Sequence, residues 1–571
     1  MVSFIKKAAF AAIVMSLPSV GASESASGAY LAGRQALISS DFDAAATYYT
    51  RALTRDRENP ELMENVILSQ LALGRLDAAL PMAQMMETQG LRSQVAHMVV
   101  AAHLIGEGEF EALLERDTET LGIGRLVDGL VEAWSWMGLE ETDKALAAFD
   151  GVAEENGLSA FARYHKALAL ASIGRYEDAE AVFAEDEGGL SRMSRRGAIS
   201  RAQILSQLDR NDDALELLVD AFGGVPFDPG LTDVADRLAA GESVPFDQVG
   251  SVRDGLAEVF FSISQALKGE ASDDFALIYT RTAIYLRPDH IDALLLAGEL
   301  LEGLGQYDLA VSTYRKVPPE SPDYHAAELG RAEALRRAAK PDAAIEVLTR
   351  LADDYPTLPL VHSALGDLQR QQENYRGAVD AYDRAIEFTE EGAPSEWHLL
   401  YARGISHERL KEWDMAESDF RRALELNPEQ PQVLNYLGYS MVERRENLDE
   451  ALDMIQRAVA ARPDSGYIVD SLGWVLYRLG RYDEAVGHME HAVELMPVDP
   501  VVNDHLGDVL WAVGRFREAE FQWKRAVSFI DPSDTDSEAD PVRIRRKLEV
   551  GLDKVLSEEG SPPLKVARDD G

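Results

Sequence analysis

Two clusters of side chains have residue types that could bind a metal ion. His488 and His491 lie three residues apart, and imidazoles at this spacing on one face of a helix can chelate zinc together with nearby carboxylates. The second cluster alternates acidic residues as a calcium loop does but lacks the glycine that such a loop needs; it comprises Asp534, Asp536, Glu538 and Asp540. We interpret the first cluster as a solvated helix face and the second as an acidic linker, so the sequence predicts no metal site.

Catalytic motifs are absent from the sequence. It contains no HExxH, GxSxG, Walker or GxGxxG pattern, and Gly106-Glu107-Gly108 lacks both the third glycine and a preceding strand. The absence of cysteine excludes thiol nucleophiles, thiolate metal sites and disulfides. We therefore predict a protein that is not an enzyme and has no cofactor. A metal-dependent enzyme hidden in the irregular stretches 94–125 or 227–256 is the alternative from another class.

The overall charge excludes two classes of partner. The chain of 571 residues has 56 Lys and Arg against 99 Asp and Glu, a net charge of −43. Sequence-independent binding to nucleic acid depends on Lys and Arg that neutralise phosphates, and adhesion to an anionic membrane surface also needs basic residues. Hydrophobic residues make up 46% and charged residues 27%, which is typical of a folded chain.

The first 22 residues have the order of a secretory signal. Lys6 and Lys7 precede the apolar run Ala8–Leu17, and the small residues Val20-Gly21-Ala22 follow. This apolar run is too short to span about 30 Å of hydrocarbon as a helix. We predict cleavage after Ala22, a soluble protein of the bacterial periplasm and no membrane span. The lack of cysteine also removes a thiol-linked lipid anchor.

A period of 34 residues runs through the chain. Ala310, Ala344 and Ala378 are 34 residues apart, and a large side chain follows each of them four residues later. The same pattern returns further on, as in Gly473, Gly480, Tyr482, Ala485, Met489, Ala492 and Pro497. Small residues let two short amphipathic helices approach closely, while large ones fill the gaps between them. Because one such pair cannot bury its apolar face alone, the pairs must stack.

This pattern resembles the tetratricopeptide repeat family, whose period is also 34 residues. The resemblance implies an all-α fold, a right-handed superhelical solenoid of helix-turn-helix repeats, with about fourteen repeats here. Repeats are less regular in the N-terminal half, and residues 227–256 have no repeat signature. The predicted organisation is signal, divergent array, irregular connection, regular array, and acidic linker with capping helix and tail, at 1–22, 23–226, 227–256, 257–533 and 534–571.

The same resemblance implies where a partner binds. In this family the first helix of each repeat lines a concave groove, and groove positions here are rich in Trp, Tyr and Arg, which dominate binding hot spots. The predicted partner-binding residues are Arg336, Arg337, Arg370, Tyr401, Arg409, Asn435, Tyr439, Asp470, Trp474, Tyr477, Arg478, Asp508 and Trp511. The alternative is that Trp474 and Trp511 pack between repeats and that Arg and Asp pair with each other.

Residues 257–533 show a closer resemblance, to a group of bacterial envelope repeat proteins. It is carried by the runs LNYLGYSMVERRENLDEAL (434–452), GYIVDSLGWVLYRLGRYDEAV (466–486) and DPVVNDHLGDVLWAVGRFREAEFQW (499–523). One type in that group is a lipoprotein adaptor that delivers cell-wall hydrolases to a carboxyl-terminal processing protease. We therefore predict a scaffold that binds proteins or peptides, with a periplasmic protease or its substrates as narrower candidates. An assembly factor for envelope machinery or polysaccharide export is the alternative.

Overall fold

The computed structural model describes residues 26–185, 194–222, 229–531 and 539–564. Within these ranges the chain forms 32 helices and no β-strand, which confirms the predicted all-α repeat fold. The chain divides into two compact units, unit 1 (Met1–Val347) and unit 2 (Leu348–Gly571). In the described part, no helix combines the length and apolar character needed to cross a membrane. The predicted signal, residues 1–22, lies outside the described residues.

Unit 1 consists of helices joined mainly by short turns. They are α1 (Ala26–Ile38), α2 (Phe42–Leu53), α3 (Pro60–Ala72), α4 (Leu76–Thr88), α5 (Gln94–Glu107), α6 (Phe110–Leu114), α7 (Thr118–Leu121), α8 (Arg125–Gly138), α9 (Thr142–Ala153), α10 (Ser159–Ser172), α11 (Tyr176–Glu185), α12 (Arg195–Gln207), α13 (Asn211–Phe222), α14 (Pro229–Ala239), α15 (Val252–Leu267), α16 (Asp273–Leu286), α17 (Ile291–Gly303), α18 (Tyr307–Tyr314) and α19 (Tyr324–Arg337). Helix α20 (Pro341–Asp354) contains the boundary between the units.

Local sequence explains where many helices begin. Asn59 accepts hydrogen bonds from the backbone N–H groups of Glu61 and Leu62, and Pro60 occupies the first turn, where a missing N–H costs nothing. Asp499 and Pro500 repeat this arrangement in unit 2. Consecutive helices then pack as pairs, such as α3 with α4 and α8 with α9.

A hairpin of two helices from later in the chain, α15 and α16, packs against the first helices of the N-terminal pairs. Helix α16 packs against α3 and α5, while α15 packs against α5, α8 and α10. The fit is close, because a Cβ atom at Gly255 of α15 would lie 2.4 Å from the Trp134 ring of α8. This face of unit 1 is therefore covered by α15 and α16.

Polar contacts also fix this hairpin. Arg281 Nε of α16 donates to the carbonyl of Ala72, at 3.0 Å. The Glu258 carboxylate of α15 accepts hydrogen bonds from the Tyr164 hydroxyl at 2.8 Å and from Arg196 Nε at 3.1 Å. Burial alone would raise the pKa of Glu258, but the Arg196 guanidinium and His290 hold it well below its ordinary value. Glu258 is thus an ionised carboxylate inside the core of unit 1.

The predicted irregular connection, residues 227–256, differs from the structure. It contains helix α14 and the start of α15, and among its described residues those at 240–251, between these helices, are irregular. Helix α14 forms because Leu231, Ala235 and Leu238 recur at helical spacing and are all buried.

Unit 2 continues the helix pairs with greater regularity. Its helices after α20 are α21 (Pro359–Gln371), α22 (Tyr375–Glu387), α23 (Glu396–Arg409), α24 (Trp413–Leu426), α25 (Pro431–Arg444), α26 (Leu448–Ala461), α27 (Gly466–Arg478), α28 (Tyr482–Leu495), α29 (Pro500–Ala512), α30 (Phe516–Phe529), α31 (Pro541–Val550) and α32 (Leu552–Glu558). In most pairs a large side chain of the second helix packs against a glycine of the first helix. A Cβ atom at Gly473 would lie 2.2 Å from Met489 Sδ, and one at Gly507 would lie 2.3 Å from Trp523 Nε1.

Ala485→Leu should destabilise unit 2 far more than Glu484→Ala. Ala485 has no exposed surface, and overpacking such a helix contact costs ~1–3 kcal/mol. Glu484 is exposed and pairs with Arg481 at the surface, so its loss should hardly change the free energy of unfolding. Hydrogen exchange of α27 to α30 tests this difference. Equal protection in the two variants would contradict this packing register.

The C-terminal segment packs against the last repeat as two helices separated at Gly551. Gly551 has a φ of +81°, and a Cβ atom there would lie 2.5 Å from the Trp511 ring, so glycine is needed on both counts. Asp540 caps α31 by accepting from the backbone N–H of Val542, at 2.7 Å. The rest of the predicted acidic linker, at residues 534–538, lies outside the described residues.

Candidate partner-binding site

Unit 2 contains a cavity of about 540 Å³, a size typical of ligand-binding sites. We call it the unit 2 cavity; its walls come from helices α23, α25, α27 and α29, from the turn after α23 and from the start of α24. Four of the predicted partner-binding residues line it, namely Arg409, Asn435, Tyr439 and Asp470. The structure therefore brings together residues from three successive first helices.

The acidic residues of the cavity already have partners within the chain. Glu443 accepts a hydrogen bond from Trp474 Nε1 at 2.7 Å, and Asp470 lies 3.0 Å from His505 Nδ1. Asp499 accepts from the first backbone N–H groups of α29. These carboxylates therefore stabilise the helices that form the walls of the cavity.

Three basic residues line the cavity, and one of them has no carboxylate partner. Lys411 lies in the turn after α23 with a φ of +65°, and it has no carboxylate partner among the described residues. Arg444 lies over the Trp413 ring, 4.8 Å from its centroid, and also pairs with Glu446. Arg409 is half exposed and lies 3.7 Å from Glu408. The cavity therefore offers an unpaired positive charge beside an aromatic wall.

Asn435 contains a buried hydrogen-bond acceptor without a donor. Its Oδ1 atom has almost no accessible surface, and no donor among the described residues reaches it. A buried acceptor without a donor costs about 1–3 kcal/mol, and Asn435 lines the cavity through its other atoms.

Trp474 and Tyr477 pack inside the protein. The Trp474 ring stacks on His505 at a centroid distance of 3.9 Å and on Tyr477 at 4.8 Å, and both aromatic residues are only 8% exposed. Arg478 lies 5.8 Å from the Trp474 centroid. Burial also raises the pKa of Tyr477 well above its ordinary value. These residues form a wall behind the cavity and do not face it.

Asp508 and Trp511 are covered by the C-terminal helices, which corrects their assignment to an open groove. Asp508 is 1% exposed and accepts a hydrogen bond from Lys547 Nζ at 2.6 Å. Trp511 Nε1 donates to Asp553 of α32 at 3.0 Å. Both residues lie on the groove side of α29, and the C-terminal helices α31 and α32 of the same chain cover that side.

The remaining predicted residues lie outside the cavity. Arg336 and Arg337 belong to unit 1, where both pair with Glu333 on their own helix. In unit 2, the Arg370 guanidinium donates to the Tyr382 hydroxyl at 3.2 Å and to Asp367 at 3.4 Å, so it is already held by contacts within its own repeat.

Tyr401 does not line the cavity itself but contacts a residue that does. Its ring lies 6.0 Å from that of Tyr436, edge to face, and burial raises the pKa of both phenols, so they stay neutral. Tyr436 itself lines the cavity.

Sequence reasoning missed several residues of the cavity. They lie on turns or at repeat positions outside the groove pattern, and they are Lys411, Trp413, Tyr436, Ser440, Arg444, Tyr467, Ser471, Asp499, Val501 and Val502. One signal was available, because aligned repeats show a serine at position 471 where the neighbouring repeats have Tyr436 and His505. Among the described residues, no group of three or more potential metal ligands includes His488 or His491.

The stacked helix pairs and the groove-side cavity define a helical-repeat protein of the solenoid class. The tetratricopeptide repeat family matches residues 30–89, 130–189, 295–359, 329–396, 363–431, 401–465 and 442–500. These matches cover more than half of the chain, and the chain belongs to the tetratricopeptide repeat family. Membership is consistent with a protein–protein interaction scaffold.

Related proteins include the "TPR repeat-containing protein PA4667" of Pseudomonas aeruginosa, which is 28% identical over 187 residues. That match covers 32% of this chain and 30% of the relative, so the chain spans less than a third of the relative's length.

Solved structures resemble the fold at low sequence identity. The "APC/C hetero-tetramer Cut9-Hcn1" is 14% identical, with a TM-score of 0.37 and coverage of 92% of this chain and 96% of that chain. A tetratricopeptide repeat protein from Parabacteroides merdae is 16% identical, with a TM-score of 0.35 and coverage of 52% and 98%. MamA from Desulfovibrio magneticus is 22% identical, with a TM-score of 0.27 and coverage of 30% and 96%.

Proposed function

We propose that this protein is a non-enzymatic adaptor of the bacterial periplasm that binds segments of partner proteins in the unit 2 cavity. The observation that carries the proposal is the cavity itself, where the exposed lysine Lys411 has no carboxylate partner among the described residues. Such a lysine suits a carboxylate or carbonyl group of a bound segment.

The distribution of covered surfaces supports this assignment. In unit 1 the first helices α3, α5, α8 and α10 are packed against the chain's own hairpin α15–α16. At the end of unit 2, the face of α29 is packed against α31 and α32 through Lys547 and Asp553. The first-helix face around Asn435, in contrast, borders the unit 2 cavity.

The compartment and the narrower role come from the sequence. The charged, apolar and small-residue order of residues 1–22 favours export. The runs at 434–452, 466–486 and 499–523 resemble envelope adaptors for a carboxyl-terminal processing protease. We therefore propose that the captured partners are delivered to a periplasmic protease, and the protease or its cell-wall hydrolase substrates are the expected partners.

Affinity capture from a bacterial envelope extract tests the proposal. The full chain should retain specific proteins, and Lys411→Ala together with Tyr439→Ala should lower their affinity about thirtyfold, as expected for losing anchors worth about 2 kcal/mol or more. Lys524→Ala is the control, because Lys524 is an exposed lysine on α30. The mass of the exported chain should correspond to loss of residues 1–22. Equal capture by the wild type and the cavity variant would refute this binding site.

A further inference from the structure

The unit 2 cavity runs diagonally across the first helices of neighbouring repeats. Helices joined by short turns are antiparallel, so successive first helices run in the same direction. On one side of α25 the cavity is lined by the C-terminal end of α23, and on the other side by the N-terminal ends of α27 and α29. Helix α25 lines it from Asn435 to Arg444. The cavity therefore has two ends, which lie at opposite ends of α25.

One end of the cavity carries three exposed cations, and we call it the basic end. They are Arg409, Lys411 and Arg444. Two of them have carboxylate neighbours, because Arg409 lies 3.7 Å from Glu408 and Arg444 lies 3.0 Å from Glu446. Lys411 has no carboxylate partner among the described residues.

The remaining carboxylate at the basic end is bound to other groups. Glu443 accepts a hydrogen bond from Trp474 Nε1 at 2.7 Å and lies 3.9 Å from the Arg478 guanidinium. Lys411 is thus available for a carboxylate of a ligand, and hydrogen bonds between two charged groups are stronger than neutral ones.

The other end of the cavity is apolar, and we call it the apolar end; it contains Tyr467, Val501 and Val502. Tyr467 is 66% exposed, and Val498, in the turn that leads into α29, is 65% exposed. The start of α27 lies against the beginning of this turn, since a Cβ atom at Gly466 would lie 2.4 Å from Met496 Cγ. Large apolar side chains that stay exposed as a group are typical of surfaces that bind another protein.

The distance between the two ends sets the spacing of the ligand groups that could occupy them. From Asn435 to Arg444, α25 advances by nine residues, which is about 14 Å at 1.5 Å per residue. An extended chain rises about 3.3 Å per residue, so it covers this distance in about four residue steps. A residue bound at one end therefore places the residue four positions away at the other end.

We propose that the unit 2 cavity binds an extended segment of the partner protein in which three residues separate a large apolar residue from an aspartate or glutamate. The apolar side chain packs against Tyr467 and Val501, and the carboxylate accepts a hydrogen bond from Lys411 Nζ. This inference rests on the proposed function and names the pattern of side chains that the adaptor recognises.

Short peptides with blocked termini test this pattern on the full-length protein. The probes are acetyl-Leu-Ser-Gly-Ser-Asp-amide and the reverse order, acetyl-Asp-Ser-Gly-Ser-Leu-amide, measured by saturation-transfer NMR. The tighter of the two should bind at least about threefold more tightly than its asparagine analogue and at least about fivefold more tightly than the analogue with serine for leucine. Without two of the spacer residues, the peptide should bind as weakly as these analogues, because it reaches one end at a time.

Each result with these peptides supports or overturns the proposal. Equal binding of the asparagine analogue, of the serine analogue or of the shortened peptide would overturn it, and so would the absence of binding at millimolar concentration. The order that binds more tightly gives the direction of the segment.

Lys411→Glu should reverse the charge preference of the cavity. The variant should bind a peptide with lysine in place of aspartate more tightly than the aspartate peptide. Lys524→Glu, a charge reversal of an exposed lysine on α30, should leave the preference for aspartate unchanged. An aspartate preference that survives in Lys411→Glu would refute the role of Lys411.

Lys411→Gly separates binding from folding. Lys411 has a φ of +65°, and glycine holds the same turn position at Gly480 and Gly514, so this variant should be at least as stable as the wild type. It should nevertheless bind the aspartate peptide no better than the asparagine analogue. Undiminished discrimination between these two peptides would contradict the proposal.

Tyr467→Ser should remove the preference for leucine over serine and should leave the preference for aspartate over asparagine. Phe521→Ser is the matched control, because Phe521 is an aromatic residue of α30 that is 59% exposed and does not line the cavity. If Tyr467→Ser keeps the preference for leucine, the apolar end is wrongly assigned.

The outcomes separate this inference from the proposed function. If the full chain captures envelope proteins but the peptides show none of these preferences, the proposed pattern fails and the adaptor function stands. If the peptides show the preferences but no envelope protein is captured, the cavity chemistry is supported and the adaptor function fails.

Discussion

Lys547→Met is expected to detach the C-terminal helices from unit 2. The Lys547 side chain is fully buried, and its Nζ atom lies 2.9 Å from both Asp504 oxygens and 2.6 Å from Asp508. Removing the ammonium leaves two buried carboxylates close together, and breaking a buried ion pair in this way costs about 3–5 kcal/mol. Because repeats are coupled mainly to their neighbours, the loss should concentrate in α29 to α32.

Hydrogen exchange along the full chain measures this loss. Amides of α29, α31 and α32 should lose protection, while those of unit 1 should not change. Lys554→Met is the matched control, since Lys554 is 60% exposed and lies 4.0 Å from Glu558 at the surface of α32. Its effect should stay below ~0.5 kcal/mol. Similar exchange in both variants would show that Lys547 does not hold the cap.

Mild acid is expected to destabilise unit 1 through His165. Its Nδ1 atom faces Trp134 Nε1, which can only donate, and its Nε2 atom lies 3.1 Å from Ser262 Oγ. The ring is therefore held in a neutral form. Burial lowers the pKa of His165 to about 4, although the nearby Glu258 carboxylate opposes this shift. Burial also lowers the pKa of His290 on the other side of Glu258.

The direction of the pH effect on stability follows from the pKa of His165 in the folded and in the unfolded chain. Above pH 6.5 the imidazole of His165 is neutral whether the chain is folded or unfolded, so its full contribution is present. As the pH falls from 6.5 towards 4, the unfolded chain takes up a proton that the folded chain excludes, and stability falls by about 1.4 kcal/mol per pH unit. At pH 5 the loss from His165 alone should be roughly 2 kcal/mol.

Calorimetric unfolding at pH 7.5 and pH 5 tests the assignment. His165→Gln keeps one acceptor and one donor in the site but does not titrate, so its loss of stability between the two pH values should be smaller than that of the wild type. If the two proteins lose the same amount, the acid sensitivity lies elsewhere.

The repeat architecture could be predicted because its signature residues contact each other within one repeat. Gly473 and Met489, or Gly507 and Trp523, are only sixteen residues apart, so the 34-residue pattern already contains the packing. Helix α14 was missed because Pro229 and the glycines around it were interpreted as loop signals, although Leu231, Ala235 and Leu238 follow helical spacing.

Only part of the candidate site could be predicted, because repeat positions show which way a residue faces but not what covers it. Asn435 and Asp504 share a position, yet Asn435 borders a cavity while Asp504 binds Lys547. The covering groups come from segments without repeat signatures, such as α31 and the hairpin α15–α16. Ser471 lines the cavity too, but a search for large binding residues passes over so small a side chain.

The hairpin α15–α16 has a consequence for the order in which unit 1 is assembled. Arg281 contacts the carbonyl of Ala72 across a separation of 209 residues, and Gln94 contacts Tyr279 across 185. A growing chain therefore exposes the apolar faces of α3, α5, α8 and α10 until the hairpin has been synthesised. Such distant contacts slow folding, because loop closure must precede the gain from burial. Unit 1 should accordingly fold in one late cooperative step, whereas unit 2 can add repeats one after another, as a simple array does.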